Sequence, residues 1–245
     1  MEVFSNKFMA GHSHWAGIKH KKGRQDKQRA NLFAKLSREI SVAAKLGSSD
    51  PSSNHRLRAA IQLAKSSNMP KDNIQRAIKR SESGNYENFE NLRYEAFGPF
   101  GAAFIIETLT NNKNRTASNL RTIFSKKNGR LGENGSTSHL FHNCGVFIVK
   151  KDNEIENLIN LVADMGGEDI KDTNKKYEII TKKEDFQKFK SIFEEKKIKL
   201  EHGEIEWKAK NIIKTDSNSR EILYNLVEQL EENDDIQKVF FNFEI

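Results

Sequence analysis

The densest chemistry in this chain lies in Met9-Ala10-Gly11-His12-Ser13-His14-Trp15-Ala16-Gly17-Ile18-Lys19-His20, which runs straight into Lys21, Lys22, Gly23, Arg24, Lys27 and Arg29. Two imidazoles at i and i+2 could seed a metal site. Such sites take three or four ligands, however, and no Cys/His cluster stands nearby. A serine nucleophile at Ser13 would need glycine at position 15 to make the G-x-S-x-G elbow, and that position is Trp15. What remains is cations, hydrogen-bond donors and one large ring, on a segment with no helical or strand period. Those are the means of gripping phosphates and stacking a base. His12, His14, Trp15, Lys19, His20, Lys21, Lys22, Arg24, Lys27 and Arg29 are therefore candidate nucleic-acid contacts. Trp15 is readable both as a core anchor and as a stacking platform.

Charge supports a polyanion partner. Residues 1–82 carry 17 Lys/Arg against 6 Asp/Glu, whereas the remainder carries 24 against 28, so a strongly basic first third sits on a mildly acidic body. Lys35, Arg38, Arg56 and Arg58 extend the candidate set into the helices that follow. Arg115 joins it at a later helix start, beside Asn112, Asn114 and Thr116, where exposed N–H groups suit an anion. Charge alone does not choose between DNA and ribosomal RNA. The glycines at 98, 101, 129, 132 and 135 match no nucleotide-binding loop, and the acidic string around Glu231–Asp235 lacks EF-hand spacing. No catalytic group, metal or cofactor is expected, and the reading is non-enzymatic. A hydrolase using His12, Ser13 or Cys144 is the discarded rival. Cys144 is the single cysteine, which suits a reducing compartment. No run reaches the ~18 apolar residues of a membrane span, and Met1–Phe8 has no apolar signal region. The expected location is the cytoplasm, with Met9 an alternative start.

The elements that must position these groups follow from periodicity. Leu32, Leu36, Ile40 and Ala43/Ala44 recur at three and four, predicting a helix over Asp26–Leu46. Asp50-Pro51 reads as the start of a second helix carrying Leu57, Ala60, Ile61 and Ala64. Pro70 opens a third with Ile74, Ala77 and Ile78. Ser81–Asn91 reads as a linker. Beyond it strands and helices alternate: a strand over Ala102–Leu109, a helix over Asn114–Lys127 and a strand around Gly145–Val149. Then come a helix over Glu154–Met165, strands near Glu168–Lys171 and Tyr177–Thr181, and a helix over Glu184–Glu195. A strand near Ile205–Ala209, a helix over Ser219–Glu232 and a strand over Val239–Phe243 complete the series. This predicts two α+β modules of split βαβ type.

These residues also resemble the YebC family, which includes mitochondrial translational activators. The likeness runs from Met9-Ala-Gly-His-Ser-His-Trp and Ile18-Lys19-His20 through Lys35-Leu-Ser-Arg-Glu-Ile40, Ala44-Lys-Leu-Gly47 and Asp50-Pro51. It continues in Arg56-Leu-Arg58, Asn68-Met-Pro70, Asn73-Ile-Gln-Arg-Ala-Ile78, Tyr94-Glu-Ala-Phe-Gly-Pro99, Ile106-Glu107, Asn114-Arg-Thr116, Leu131-Gly132 and Asp234-Asp-Ile-Gln-Lys-Val239. Coverage is nearly full from Met9 and thinnest over 152–213. The chain departs from the family pattern at His14, Phe100 and Asn143-Cys144, and it lacks a proline near Trp207. The resemblance implies an α+β fold with a small helical bundle followed by two ferredoxin-like α/β modules, the second inserted in the first. The expected domains are a flexible basic arm (1–25), a helical basic domain (26–82), an α/β domain (92–151 plus 203–245) and an inserted α/β domain (152–202). It also implies a DNA-binding transcriptional regulator. The alternative is a ribosome-associated translation factor that relieves stalling on proline-rich stretches. Partners would be DNA or ribosomal RNA and the ribosome, with no membrane.

Overall fold

The computed structural model of the chain describes residues 22–81, 88–151, 157–173 and 175–244, with side chains described from Arg29 onward. In chain order the elements are α1 (Lys22–Leu46), α2 (His55–Ser66), α3 (Lys71–Arg80), β1 (Glu90–Phe97), β2 (Ala103–Thr110), α4 (Lys113–Ser125), β3 (Arg130–Leu131), β4 (Phe141–Lys150), α5 (Leu158–Asp164), β5 (Asp169–Asp172), β6 (Lys176–Lys182), α6 (Phe186–Glu195), β7 (Leu200–Ala209), α7 (Ser217–Glu231) and β8 (Ile236–Phe241). They fall into two compact units. One runs through Thr137 and resumes over Thr215–Val239; the other holds Ser138–Lys214 and Phe240–Glu244.

The first unit begins with three helices that bury one apolar stripe each. Leu36, Ile40, Ala43, Leu57, Ala60, Ala64, Ile74 and Ala77 form their common core, with Leu32, Phe33, Ile61 and Ile78 at its margin. The joint between α1 and α2 corrects the sequence reading. The second helix starts four residues after the Asp50-Pro51 pair, at His55, and its cap is Asn54. The Asn54 side chain accepts the Leu57 N–H at 3.0 Å, while its amide donates to the carbonyls of Ala43 (2.8 Å) and Ser48 (2.7 Å). One buried amide thus satisfies the orphan groups of one helix end and the next helix start. Asp50 instead caps its own turn, accepting the Ser52 N–H at 2.9 Å. The Ser41 hydroxyl donates to Ala77 O at 2.6 Å and ties α1 to α3. Helix α1 begins at Lys22, ahead of the expected Asp26; the expected arm otherwise lies outside the described residues.

The same unit continues into a four-stranded sheet ordered β3-β1-β2-β8, with β1 antiparallel to both β2 and β3. Strand β1 was not foreseen, because Glu90, Asn91, Arg93 and Glu95 make it read as linker. One of those polar groups has a structural task. Glu95 is 1 % exposed and accepts the N–H groups of Gly135 (3.0 Å) and Thr137 (2.6 Å), pinning the glycine-rich segment after β3. Phe124 of α4 packs edge-on against Phe104 of β2 at 5.3 Å. The C-terminal strand lies beside β2, as expected, although it spans Ile236–Phe241.

The second unit runs β4-α5-β5-β6-α6-β7 with strand order β5-β6-β4-β7 and antiparallel neighbours throughout. This is the ferredoxin-type arrangement; the first sheet instead opens with the β1–β2 hairpin. Phe147 lies at its centre, stacked on Phe186 at 4.8 Å and edge-on to Phe193 at 5.2 Å. Gly145 makes room for that packing. A Cβ there would stand 2.4 Å from Thr181 Oγ1 and 2.8 Å from the Phe186 ring. The expected boundary at 152–202 is therefore too narrow. Strand β4 pairs with both β6 and β7, so it belongs to the inserted module, which spans 138–214. Periodicity identifies a strand but not its hydrogen-bonding partner.

Within the first unit, α1 is fastened to the sheet through a buried carboxylate. Asp235, with its side chain 6 % exposed, accepts Arg115 Nη2 at 3.1 and 3.0 Å, Arg38 Nη1 at 3.3 Å and the Thr116 hydroxyl at 2.8 Å. Arg38 also donates to the carbonyls of Asp234 and Leu109. Lys35 donates to Glu231 O at 2.7 Å. Replacing Asp235 with alanine removes the carboxylate that Arg38, Arg115 and Thr116 share and should lower unfolding free energy by about 1–3 kcal/mol in urea titration. A second expectation concerns pH. Burial pushes the Lys35 ammonium down to about 8, against the opposing pull of Glu231 and Asp234. Between pH 8 and 10.5 the unfolded chain therefore binds more protons at this residue than the folded one, so its contribution to stability rises with pH. The stability of the wild type relative to Lys35→Met should increase across that window. Parallel profiles for the two proteins would show that the ammonium is not desolvated.

Candidate nucleic-acid interface

Of the expected contacts, His12, His14, Trp15, Lys19, His20, Lys21, Lys22, Arg24 and Lys27 lie outside the residues whose side chains are described. The remaining six divide sharply. Arg29 is exposed, its guanidinium 5.2 Å over the Phe33 ring. Lys35 is withdrawn from the candidate set: it is 4 % exposed and its amine is committed to a backbone carbonyl. Its place off the apolar stripe of α1 faces the C-terminal end of α7, not water. Arg38 and Arg115 converge on Asp235 as described. They edge an open polar cleft of about 470 Å³ that is also lined by Phe89, Asn111, Asn119 and Asn233. The Arg38 guanidinium lies 5.3 Å over the Phe89 ring.

Arg56 meets Glu39 through two bonds, Nε to Oε1 at 2.7 Å and Nη2 to Oε2 at 3.0 Å. Arg58 donates to the carbonyls of Pro51 (3.0 Å) and Ser52 (3.1 Å) and sits against His55 Nδ1. Thus five of these six helical cations donate to carbonyls or carboxylates of the protein itself. A partly buried guanidinium must find carbonyls or carboxylates, and helical period alone does not show whether these lie within reach. Among the described side chains, Arg29, Lys45, Lys65, Lys71, Arg76, Lys79 and Arg80 are the exposed cations along the three helices. They supply the outward positive face.

A second basic stretch escaped the sequence reading except for Arg115. From Thr108 through Gly132 there is no carboxylate, while Lys113, Arg115, Arg121, Lys126, Lys127 and Arg130 all occur. The signal was available in the local charge count. It is diluted by eight acidic residues after Thr215, which share the sheet but not the segment. Asn112 caps α4, accepting the Arg115 N–H at 3.0 Å, so capping accounts for that asparagine.

Other chemistries are weaker. Among the described residues, His202, Glu204 and Glu206 bring ligand atoms within 4.8 Å of one another on β7. His202 Nε2 and Glu206 Oε1 are only 2.6 Å apart, a hydrogen-bonded ion-pair geometry that accounts for their closeness. Burial holds the Cys144 thiol up to about 11, so it has little thiolate to act as nucleophile.

Two family models together match most of the chain. One, described as the TACO1/YebC protein N-terminal domain, matches residues 13–84; the other, the TACO1/YebC second and third domain, matches residues 89–243. A protein of Pelagibacter ubique named "probable transcriptional regulatory protein" is 47% identical over 235 residues, covering 96% of this chain and 98% of its own. One of the same description from Natranaerobius thermophilus is 44% identical over 243 residues, with 97% of each chain covered. The crystal structure of a conserved hypothetical protein from Aquifex aeolicus superposes with a TM-score of 0.77 at 39% identity, covering 95% of this chain and 97% of that one. No helix among the described residues is long and apolar enough to cross a membrane. With its helical bundle, its two four-stranded sheets and these full-length likenesses, the chain belongs to the TACO1/YebC family.

Proposed function

We propose that this chain is a non-enzymatic, nucleic-acid-binding regulator of gene expression that acts on DNA as a transcriptional regulatory protein. The partition of charge carries the reading: the first 82 residues hold 17 Lys/Arg against 6 Asp/Glu. By contrast, the inserted module over 138–214 holds 15 lysines against 15 Asp/Glu and is neutral. The curated relatives named above support the regulatory reading. Exposed lysines and arginines on α1, α2 and α3 offer phosphate contacts, and the segment from His12 to Arg29 adds cations, imidazoles and Trp15. Contacts of this kind position a duplex without reading bases.

A second reading, a ribosome-associated translation factor in the cytoplasm, draws on the same cations, because ribosomal RNA presents the same phosphates. The half-exposed ring of Phe100 supports it in one respect, because ribosomal RNA presents unpaired bases that could stack there and a duplex does not. Sedimentation through a sucrose gradient, with and without ribonuclease, separates the two. Co-sedimentation with ribosomes would favour the translational role, and its absence alongside duplex binding would favour DNA.

With ~5 phosphates engaged, affinity for duplex DNA should fall with a log–log salt slope of about −4 to −5. A slope near zero on every nucleic acid tested would refute the electrostatic reading. Replacing Lys19, Lys21, Lys22 and Arg24 together with alanine should weaken binding alike on unrelated sequences while leaving the melting temperature within a few degrees. If melting falls steeply and binding is unchanged, that segment is a structural staple instead.

A further inference from the structure

Phe100 occupies a backbone position that side chains rarely take. Its φ is 60° and its ψ 22°, in the left-handed region, and it is followed by Gly101 at φ 79°. A bulky residue held there is a genuine outlier, and such outliers gather at sites where strain serves a function. The turn that imposes it is tightly closed, with the Gly98 N–H on Ala102 O at 2.7 Å and the Ala102 N–H on Pro99 O at 3.1 Å. Core burial does not offset the strain, because Phe100 remains 52 % exposed. The fold itself gains little from a ring at this point.

The segment packed against this turn is cationic. The turn is seated against the chain leaving α4: a Cβ on Gly129 would stand 2.6 Å from Phe97 O and 3.2 Å from the Gly98 Cα, so the two backbones touch. On either side of Gly129, with Asn128 between, come Lys126 and Lys127, exposed and half-buried, and Arg130, exposed. Arg130 pairs with Phe97 across β3 and β1, and its guanidinium lies 5.0 Å over the Phe97 ring. No carboxylate occurs between Glu107 and Glu133. Cations alone would take a duplex or a single strand alike. A protruding ring adds discrimination, since the bases of a duplex are already stacked on one another, whereas an unpaired base offers its face.

We propose that the Gly98–Gly101 turn and the α4–β3 corner form a contact for single-stranded nucleic acid, with an unpaired base stacked on Phe100 and flanking phosphates held by Lys126, Lys127 and Arg130. This contact rests on the nucleic-acid reading above and adds to it a site in the α/β part of the first unit, with a preference for unpaired strands. It turns the strained aromatic from a cost of the fold into part of the binding surface.

The test is fluorescence anisotropy of the full chain with three labelled probes: single-stranded RNA, single-stranded DNA of the same sequence, and duplex DNA. Phe100→Gly relieves the left-handed strain, so its melting temperature should equal or exceed that of the wild type. It should nevertheless bind the single strands at least about fivefold more weakly, with duplex affinity unchanged. Phe100→Tyr keeps the ring and should bind within about twofold of wild type. Lys126→Ala with Lys127→Ala should weaken single-strand binding and flatten its salt dependence. A larger loss on RNA than on DNA would assign RNA as the strand recognised. If Phe100→Gly binds single strands as wild type does, the contact is overturned while the duplex-binding reading stands. If the wild type binds none of the three probes, both are overturned.

Discussion

A buried carboxylate is tolerated only where charge and hydrogen-bond donors replace the water it has lost. Asp235 meets that condition through Arg38, Arg115 and the hydroxyl of Thr116. These partners come from α1 and from the first turn of α4, while Asp235 itself stands just ahead of β8. Its own backbone takes part as well, since Asp235 O accepts the Leu109 N–H of β2 at 2.8 Å. One side chain therefore couples the docking of α1 to the closing of the first sheet by a strand that arrives only after the chain has traversed the inserted module. Removing any one donor leaves the others facing an incompletely satisfied carboxylate, so the group acts as a unit.

That constraint also sorts the positive charge. Arg38, Arg115 and Lys35 are engaged with the C-terminal acidic string, and Arg56 with Glu39, which fixes their geometry; Lys35 is buried outright, whereas Arg115 keeps contact with water. The cations that remain outward are shorter-range neighbours of water: lysines and arginines on the three helices, and those of α4 and β3. An outward positive face and a folding clamp are thus assembled from one kind of charge within one unit. Proximity to Asp or Glu decides which role each cation takes. The neutral inserted module has a different internal logic, built on Phe147, Phe186, Phe189 and Phe193 around the space left by Gly145.

Much of the architecture was legible in the chain. The stripes of α1, α2 and α3, the strand over Ala103–Thr110 and the helices with Phe186, Phe189 and Phe193 or with Leu223, Leu226 and Leu230 each carry their own period. Periodicity is a local property, set by which face of an element is buried. The boundary of the inserted module was not legible, because the assignment of β4 depends on hydrogen bonds to β6 and β7, which lie dozens of residues away. Strand β1 was hidden for a related reason: its polar Glu95 is buried only because the backbone N–H groups of Gly135 and Thr137 come to meet it.

For the positive charge the division is similar. The sequence by itself determined that the first third of the chain is basic and that the segment from His12 to Arg29 combines cations with a tryptophan. Only the tertiary structure decided which helical cations face solvent, because a lysine off the apolar stripe is placed in water or against a second layer by packing between elements. Lys35 shows the difference most plainly, buried where its helix alone would leave it wet. Phe100 shows the converse. Its residue type predicts burial, yet a closed turn between two antiparallel strands forces its backbone into the left-handed region and leaves the ring half in solvent. Composition specifies charge and apolar content; the direction in which each side chain points is fixed by contacts that only the folded chain brings together.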